Sequence, residues 1–489
     1  MNSFSIPEEV SRITKTLKES GFEAYLVGGC VRDLFLSKEP KDWDITTNAK
    51  PEEIISIFKD TFYENEYGTV GVVNADTKNE SLKIVEVTPY RTEGEYTDKR
   101  RPDSVSFKAT LEDDLQRRDF TINAIAFDIE KNAVVDPFNG RKDIQTGIIR
   151  TVGDPDNRFS EDGLRLLRGA RIYAELGFEI EMETEKSIAK NAYLLEHIAK
   201  ERIRDEFIRI IESPYPMNGV LSLHKLNLLG YIAPELLESI NVEQNKAHAF
   251  DVWTHLLKTL QHSADKNWPL HIRLAALFHD ISKPASRRRS KETGEWTFYG
   301  HEVLGEKTTR KIMQRLKFPK ELTDKVSNLV RWHMFFSDTE QITHSAVRRL
   351  VASVGKENVW DLMNLRGCDR VGTGRPKENP YRLRKYKAMV EEVMSDPVSV
   401  GMLKIDGNKI MEITKLPAGP KIGYILHAIL ETALDNPNIN TEETLKKMAM
   451  ELSRKTEGEL KTLGEKGKSK KEAEEKEKIN SIRKKYWVE

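Results

Sequence analysis

The chain has 489 residues but only two cysteines, Cys30 and Cys368, which are too few for a framework of disulfide bonds. It also lacks any apolar run of about 18 residues, the length that a membrane-spanning helix needs. Its N-terminus carries acidic residues early and has no apolar segment of the kind found in signal peptides. These absences predict a cytoplasmic protein in a reducing compartment, without membrane contact.

The chain also has no net charge, because its 78 basic and 78 acidic side chains balance one another. This balance neither favours nor excludes a nucleic-acid partner, since only local clustering of charge makes a binding field. One basic cluster is "RLRKYK" at residues 382–387. Residues 441–489 are mostly charged and offer few apolar side chains, so we expect a partly disordered tail there.

The length predicts several domains, and the pattern of apolar residues changes along the chain. Up to about residue 150, short β-rich runs such as "AYLVGG" and "LKIVEVTPY" alternate with polar breaks, which predicts a small α/β head. Beyond it, apolar residues recur every three or four positions and predict helices. We therefore expect a multidomain fold, α/β followed by all-α, with a head (1–150), a neck (151–215), a body (216–380), a further helical segment (381–440) and the tail (441–489). The sequence predicts no oligomeric state.

The first motif joins "GGCVRD" to "DWD". Glycines after a strand let backbone N–H groups approach a phosphate, and Arg32 adds a two-pronged donor. The spacing matches neither the Rossmann nor the Walker pattern. Alternate residues of a strand point to one face, so Asp42 and Asp44 can converge on one hard cation such as Mg²⁺, which bridges carboxylate and phosphate. The alternative is a pair of surface acids on an edge strand.

The second motif is "RRDFTINA". Two adjacent arginines, Arg117 and Arg118, suit a polyphosphate ligand, and Asp119 could hold one of them in place. A surface ion pair is the alternative explanation.

The third motif is "EDGLRLLRGAR". On a helix, Asp162 and Arg165 would lie about 60° apart, and Arg168 and Arg171 would continue a basic stripe. A fixed acceptor beside a fixed donor matches the Watson–Crick edges of cytosine and adenine and rejects uracil and guanine. The alternative is a salt bridge within the helix.

A fourth group lies further along, where "FHDISK" places His279 beside Asp280. A single helical histidine is usually structural, but His255 upstream and Asp369 downstream add ligands from other helices. Imidazole and carboxylate groups from separate helices can enclose one divalent ion. This grouping therefore predicts a metal site.

Taken together, "GGCVRD", "DWD", "RRDFTINA", "EDGLRLLRGAR" and "ERIRDEF" resemble, in order and spacing, the motifs of the class II tRNA nucleotidyltransferases. These are the CCA-adding enzymes of the polymerase-beta-like superfamily, and the resemblance covers residues 22 to about 211. It implies a polymerase-beta-like nucleotidyltransferase head and a helical neck. It also implies Mg²⁺-dependent addition of C, C and A, from CTP and ATP, to the 3′ end of tRNA without a nucleic-acid template.

The resemblance also implies residue roles. Glu86 in "VEVTPYR" is a candidate third active-site carboxylate, and residues 90–102 look like the loop used in switching from C to A, which CC-adding members lack. We therefore favour full CCA addition, with an A-adding specialist or a poly(A) polymerase as alternatives. The remaining implied roles are magnesium ligation by Asp42 and Asp44, nucleotide binding by Gly29, Arg32 and Arg118, base selection by Asp162 and Arg165, and triphosphate contact by Arg168 and Arg171.

Residues 247–374 resemble an HD phosphohydrolase domain. His301 and His333 fit the additional ligand positions of its two-metal members, which implies a divalent transition metal of the Mn, Ni or Fe kind and cleavage of a phosphoester. The alternatives are a vestigial fold that only helps to hold tRNA, or a phosphohydrolase whose head merely binds RNA. The segment 381–440 is similar to the family's C-terminal part and is our candidate for contacts to the tRNA backbone.

Overall fold

The computed structural model describes residues 4–63, 68–93, 105–107, 109–245, 249–291, 293–335 and 342–464. These residues form two compact units, the first from residues 1–237 with 315–318 and the second from residues 238–314 with 319–489. Most of the loop predicted at 90–102 and the tail beyond 464 lie outside the described residues.

The first unit is built on a seven-stranded sheet with the order β3-β4-β5-β2-β1-β8-β9. Strands β2 and β5 run parallel, and the other neighbours run antiparallel. The strands of this unit are β1 (Ala24–Val27), β2 (Asp44–Thr47), β3 (Thr61–Tyr63), β4 (Val70–Val73), β5 (Ile84–Pro89), β6 (Thr92–Glu93), β7 (Val105–Ser106), β8 (Ala126–Asp128), β9 (Ala133–Val135), β10 (Ile148–Ile149) and β11 (Glu179–Ile180).

Helices cover this sheet and continue beyond it as the predicted neck. They begin where the sequence provides capping groups: Thr110 and Asp113 form a capping box for α4, and Asp154 accepts from the backbone N–H of Asn157 in α6. The helices of this unit are α1 (Glu8–Glu19), α2 (Gly29–Phe35), α3 (Pro51–Ile57), α4 (Leu111–Gln116), α5 (Gly140–Thr146), α6 (Pro155–Glu161), α7 (Leu164–Leu176), α8 (Met182–Lys190), α9 (Lys200–Glu212), α10 (Pro216–Lys225) and α11 (Leu229–Ile232).

One expectation about the neck is wrong, because no single helix carries both Asp162 and Arg165. Helix α6 ends at Glu161, and Asp162 has extended backbone angles (φ −140°, ψ 107°). Its carboxylate accepts a hydrogen bond from the backbone N–H of Leu164 at 3.0 Å, the residue at which α7 begins. An aspartate that accepts from a backbone N–H just downstream favours the start of a new helix over continuation of the old one.

Where the structure describes it, the second unit is helical apart from a short hairpin, so the predicted class, an α/β head followed by helical domains, is confirmed. Helix α12 packs against α13 and α18, and α13 also packs against α16. No helix in the described part of the chain is long and apolar enough to cross a membrane. The elements are α12 (Val252–Asp265), α13 (Leu270–Phe278), α14 (Lys283–Ser286), β12 (Arg288–Arg289), β13 (Trp296–Thr297), α15 (His301–Arg315), α16 (Lys320–Trp332), α17 (His344–Val354), α18 (Val359–Gly372), α19 (Tyr381–Val393), α20 (Gly407–Thr414), α21 (Pro420–Asp435) and α22 (Glu442–Ser453).

Candidate active site

A cleft of about 610 Å³ in the first unit collects most of the residues predicted from the head and neck motifs. Glu86 and Asp162 are not among the residues that line it. Glu86 lies on β5, directly beside Asp44 of β2 in the parallel register. The predicted residues that line the cleft are Gly29, Arg32, Asp42, Asp44, Arg118, Arg165, Arg168 and Arg171.

Gly28 lies close to one carboxylate and one arginine of this cleft. Its backbone has a positive φ of 81°, and a Cβ at this position would lie 3.1 Å from Oδ2 of Asp44 and 3.3 Å from Nη1 of Arg118. Only glycine combines this backbone with so close an approach. Asp44 begins β2, whereas Asp42 lies in the exposed bend before it, so the expectation that one strand carries both is wrong.

These oxygen donors fit a hard divalent cation. Two carboxylates at the mouth of a cleft lined by arginines would meet the negative charge of a phosphate, and a bound cation makes the two compatible.

Asp114 holds the arginine pair, and the sequence reasoning missed it. Its Oδ1 accepts from Nη2 of Arg117 at 2.6 Å, and its Oδ2 accepts from Nη2 of Arg118 at 3.1 Å. Burial opposes ionisation of this carboxyl, but the two guanidinium groups outweigh burial and keep its pKa below the ordinary value. The available signal was its position on α4, three and four residues before the arginines.

Asp119, which we expected to hold Arg117 or Arg118, pairs instead with Arg168. Its Oδ2 lies 2.9 Å from Nε of Arg168. Burial of Asp119 also opposes ionisation, but Arg168 and Arg165 lower its pKa below the ordinary value. Asp119 therefore fixes an arginine of the neck rather than its neighbours in sequence.

The first and second motifs meet at Arg32. Its Nη1 donates to Oδ1 of Asn123 at 3.0 Å, and its Nε and Nη2 donate to Oδ1 of Asp33 at 2.9 and 2.8 Å. These bonds fix the guanidinium group in the wall of the cleft. Arg171 is also buried, with Nη1 3.1 Å from Oε2 of Glu206, and burial lowers its pKa.

The predicted base-selecting residues are held by different partners. Arg165 donates from Nη2 to the backbone oxygen of Arg117 at 3.0 Å, and from Nη1 to Glu161. Asp162 accepts from Nη2 of Arg202 at 2.8 Å. A simple salt bridge between Asp162 and Arg165 is therefore not what the structure contains. Arg202, 40 residues away in sequence, was not predicted.

A second constellation lies in the second unit, where the structure brings all six predicted ligands together in two groups. Asp280 lies close to a histidine of each group. Its Oδ2 lies 3.2 Å from Nε2 of His255, and its Oδ1 lies 3.1 Å from Nε2 of His301. Within each group the ligand atoms lie within 4.8 Å of one another. The first group is His255, His279 and Asp369, and the second is Asp280, His301 and His333.

Three of these histidines are oriented by their own backbone. Nδ1 of His279, His301 and His333 lies 2.9, 2.6 and 2.7 Å from the carbonyl oxygen three residues earlier. A ring that donates from Nδ1 presents a bare Nε2 to the centre, which is the orientation that metal ligation requires. Four imidazoles and two carboxylates fit divalent transition metals.

Lys283 also belongs to this centre and was not predicted, although "HDISK" places it three residues after Asp280. Its Nζ lies 2.6 Å from Oδ2 of Asp280. Burial opposes ionisation of Asp280, but the ammonium group of Lys283 outweighs it and holds the pKa of Asp280 well below the ordinary value. Burial lowers the pKa of His333 to about 4, so this ring is neutral near pH 7.

Three family models match the chain. Residues 24–150 match the poly A polymerase head domain, and residues 177–240 match a probable RNA- and SrmB-binding site of polymerase A. Residues 252–361 match the HD domain. The fold and cleft thus define a metal-dependent nucleotidyltransferase that carries an HD domain.

Similar proteins narrow this class. The CCA-adding enzyme of Geobacillus stearothermophilus is 32% identical over 452 residues, covering 92% of this chain and 98% of that protein. The CCA-adding enzyme of Bacillus cereus strain B4264 is 46% identical over 226 residues, covering 46% of this chain and 55% of that one. The crystal structure of the Bacillus stearothermophilus CCA-adding enzyme in complex with CTP superposes with a TM-score of 0.67 at 29% identity, covering 92% and 98% of the two chains. The chain belongs to the family of CCA-adding enzymes.

Proposed function

We propose that this protein adds C, C and A, from CTP and ATP, to the 3′ end of tRNA without a nucleic-acid template. The observation that carries the proposal is the cleft, in which a Cβ on Gly28 would lie 3.1 Å from Oδ2 of Asp44 and 3.3 Å from Nη1 of Arg118. This arrangement supports a metal-binding role for Asp44 and a phosphate-binding role for Arg118, the two functions that transfer of a nucleotidyl group requires.

In this reaction the 3′ hydroxyl of tRNA attacks the α-phosphorus of the nucleotide. A bond forms between O3′ and the α-phosphorus, the bond between the α-phosphorus and the oxygen of the β-phosphate breaks, pyrophosphate leaves, and the hydroxyl proton passes to water. Arg32 and Arg118 bind the phosphates, and Arg168 and Arg171 extend the cationic wall towards the leaving group. Asp42 and Asp44, with Glu86 as a third carboxylate, would hold Mg²⁺, which when bound offsets the charge that develops on the phosphates.

Base selection is the role we propose for Asp162 and Arg165. The exocyclic amine of cytosine or adenine donates to the carboxylate of Asp162, and the ring nitrogen accepts from the guanidinium group of Arg165.

Helix α19 and the segment up to residue 440 would contact the tRNA backbone. Both cysteines are free and buried, which agrees with work in the cytoplasm.

The test is extension of a tRNA that ends before CCA, incubated with the pure protein, Mg²⁺, CTP and ATP. Sequencing of the 3′ ends should show CCA. Absence of added C and A would refute the proposal. Addition of A only, to a tRNA already ending in CC, would identify an A-adding specialist, and a long A-tail would identify a poly(A) polymerase.

A second activity, hydrolysis of a phosphoester in the HD domain, is supported by the way Asp280 joins the two groups of ligands. The six ligands would hold divalent ions of the Mn, Ni or Fe kind, and Lys283 would bind the phosphate. Bound metal would supply an activated hydroxide.

Reciprocal variants separate the two activities. Asp42→Ala should abolish nucleotide addition and spare hydrolysis of bis-p-nitrophenyl phosphate, and Asp280→Ala should do the reverse. If the wild-type protein, loaded with Mn²⁺ or Ni²⁺, hydrolyses nothing while adding CCA, the HD domain is a structural body. If it hydrolyses the ester and adds no nucleotide, the head only binds RNA.

A further inference from the structure

Arg202 of α9 reaches the carboxylate of Asp162 with both ends of its guanidinium fork. Nη2 lies 2.8 Å from Oδ2, and Nη1 lies 3.4 Å from Oδ1. We propose that Arg202 is a positioning residue that determines nucleotide specificity, because it fixes Asp162 as the acceptor for cytosine and adenine. This inference rests on the proposed function of Asp162.

Asp162 and Arg165, the proposed acceptor and donor for the base, are held in place by different groups. Arg165 is held by the backbone oxygen of Arg117 and by Glu161, which lies four residues earlier in the chain. Asp162 lies at the break between two helices, where the backbone N–H of Leu164 holds Oδ1 of the carboxylate at 3.0 Å and leaves Oδ2 to be held by another element. The side chain that fixes it comes from another helix. The position of the Asp162 carboxylate relative to the base therefore depends on Arg202.

The number of hydrogen bonds that Asp162 can accept supports the same conclusion. A carboxylate offers about four acceptor positions. The structure uses three of them, two for Arg202 and one for the backbone N–H of Leu164 at 3.0 Å. About one position is left, which matches the single amine proton on the Watson–Crick edge of cytosine or adenine.

Holding Asp162 in one direction also favours rejection of the other bases. A carboxylate can only accept hydrogen bonds, so one that is fixed towards the base repels the carbonyl oxygen that uracil or guanine presents at this place. Side chains of Arg202 and Asp162 are 31% and 18% exposed, so water can reach the pair but does not surround it. A carboxylate freed from Arg202 could rotate away from the base, and the site would then tolerate a carbonyl.

The test is single-nucleotide addition by Arg202→Gln and Arg202→Lys, with tRNA ending before CCA and tRNA ending in CC. For Arg202→Gln, kcat/KM for CTP and ATP should fall about tenfold or more, chiefly through the KM for nucleotide. The preference for CTP over UTP and for ATP over GTP should fall as well. The KM for tRNA should not change. Arg202→Lys keeps the charge but loses the bidentate guanidinium group, so its kcat/KM and its nucleotide preference should lie between those of the wild type and Arg202→Gln.

Arg204→Gln is the matched control, because Arg204 is on the same helix and pairs with its neighbour Asp205 at 2.8 Å. It should leave the nucleotide preference unchanged. If Arg202→Gln lowers addition of all four nucleotides equally, Arg202 is only structural and the inference is wrong. If it raises kcat/KM for CTP, Arg202 competes with the base, which also overturns the inference.

Asp162→Asn separates this inference from the function on which it rests. If the wild type adds no C or A, the proposed function fails. If it does, but Asp162→Asn keeps full preference for CTP and ATP, the role of Asp162 fails. If Asp162→Asn loses the preference and Arg202→Gln keeps it, only the inference about Arg202 fails.

Discussion

Oδ1 of Asp114 lies 2.6 Å from Nη2 of Arg117, and the carboxylate has no exposed surface. Its other oxygen accepts from the hydroxyl of Thr46 at 3.2 Å, two residues after Asp44 on β2. Asp114 therefore ties the strand that carries Asp44, a proposed metal ligand, to arginines of the cleft that we propose to bind phosphate. The backbone oxygen of the same Arg117 also accepts from Arg165, so the arginine proposed to select the base is joined to this network.

Asp114→Asn should destabilise the head and impair nucleotide addition. Removing the charge leaves two mostly buried guanidinium groups without their partner, a loss of about 3 kcal/mol in the free energy of unfolding. Urea denaturation followed by circular dichroism measures it. Glu112→Gln, an exposed residue of the same helix, should change stability by less than about 0.5 kcal/mol. Equal effects of the two variants would contradict the role given to Asp114.

The stability difference between the wild type and Asp114→Asn should depend on pH. The pKa of Asp114 is lower in the folded protein than in the unfolded chain, where it is about 3.9. Its contribution is therefore fully present above that value and is lost as the pH falls through the lower, folded-state pKa. Denaturation curves should give a constant difference from pH 5 to 7 and a shrinking one below about pH 4. A difference that grows in acid would be inconsistent with the pairing.

Gly28→Ala should abolish nucleotide addition in a protein that still folds. The new Cβ would meet Asp44 and Arg118 at 3.1 and 3.3 Å, and it would displace both from the nucleotide. Gly21→Ala is the matched control, because Gly21 also has a positive φ, of 90°, but its Cβ would have no neighbour within 4 Å. Both variants should lose about 1–3 kcal/mol in the free energy of unfolding, because a positive φ is strained for a residue with a Cβ. Retained addition by Gly28→Ala, measured by tRNA extension, would contradict the proposed site.

Much of the head and the HD centre could be predicted because the signals are local. Strand β2 and the pair His279–Asp280 follow from apolar pattern and from adjacency in sequence. The break before α7 could not be predicted from the sequence, because the side chain of Asp162 caps α7 and overrides a helical periodicity that continues on both sides of it. Arg202 escaped prediction for another reason: its partner is 40 residues away, and only tertiary packing decides which of many arginines meets a given carboxylate.

Metal binding in the HD domain should respond differently to its two aspartates. Asp280→Asn should lower the metal content of both groups of ligands, because Asp280 faces both, whereas Asp369→Asn should affect only the group with His255 and His279. Metal content per chain, measured by mass spectrometry after loading with Mn²⁺ or Ni²⁺ and dialysis, checks this. Equal losses would show that Asp280 is not shared. Circular dichroism should confirm that both variants fold.

Binding of tRNA should weaken with salt, and part of that dependence should come from α19. Leu383 and Tyr386 are buried on one side of this helix, whereas Arg384 and Lys385 are exposed on the other. Arg384→Gln and Lys385→Gln should each reduce the slope of log affinity against log salt by about 0.7–0.9 for every phosphate contact removed. Lys15→Gln, on α1 of the first unit, should leave the slope unchanged. Filter binding at several salt concentrations measures the slopes, and unchanged slopes for both α19 variants would exclude this contact.

The cleft residues and the six proposed HD ligands lie in separate compact units, the first set within residues 1–237 and the second within the other unit. No residue belongs to both sets. A single point mutation can therefore abolish the activity of one set of residues while the other set stays under selection. In evolution, the HD ligands can decay or be retained in a lineage without any change to the cleft.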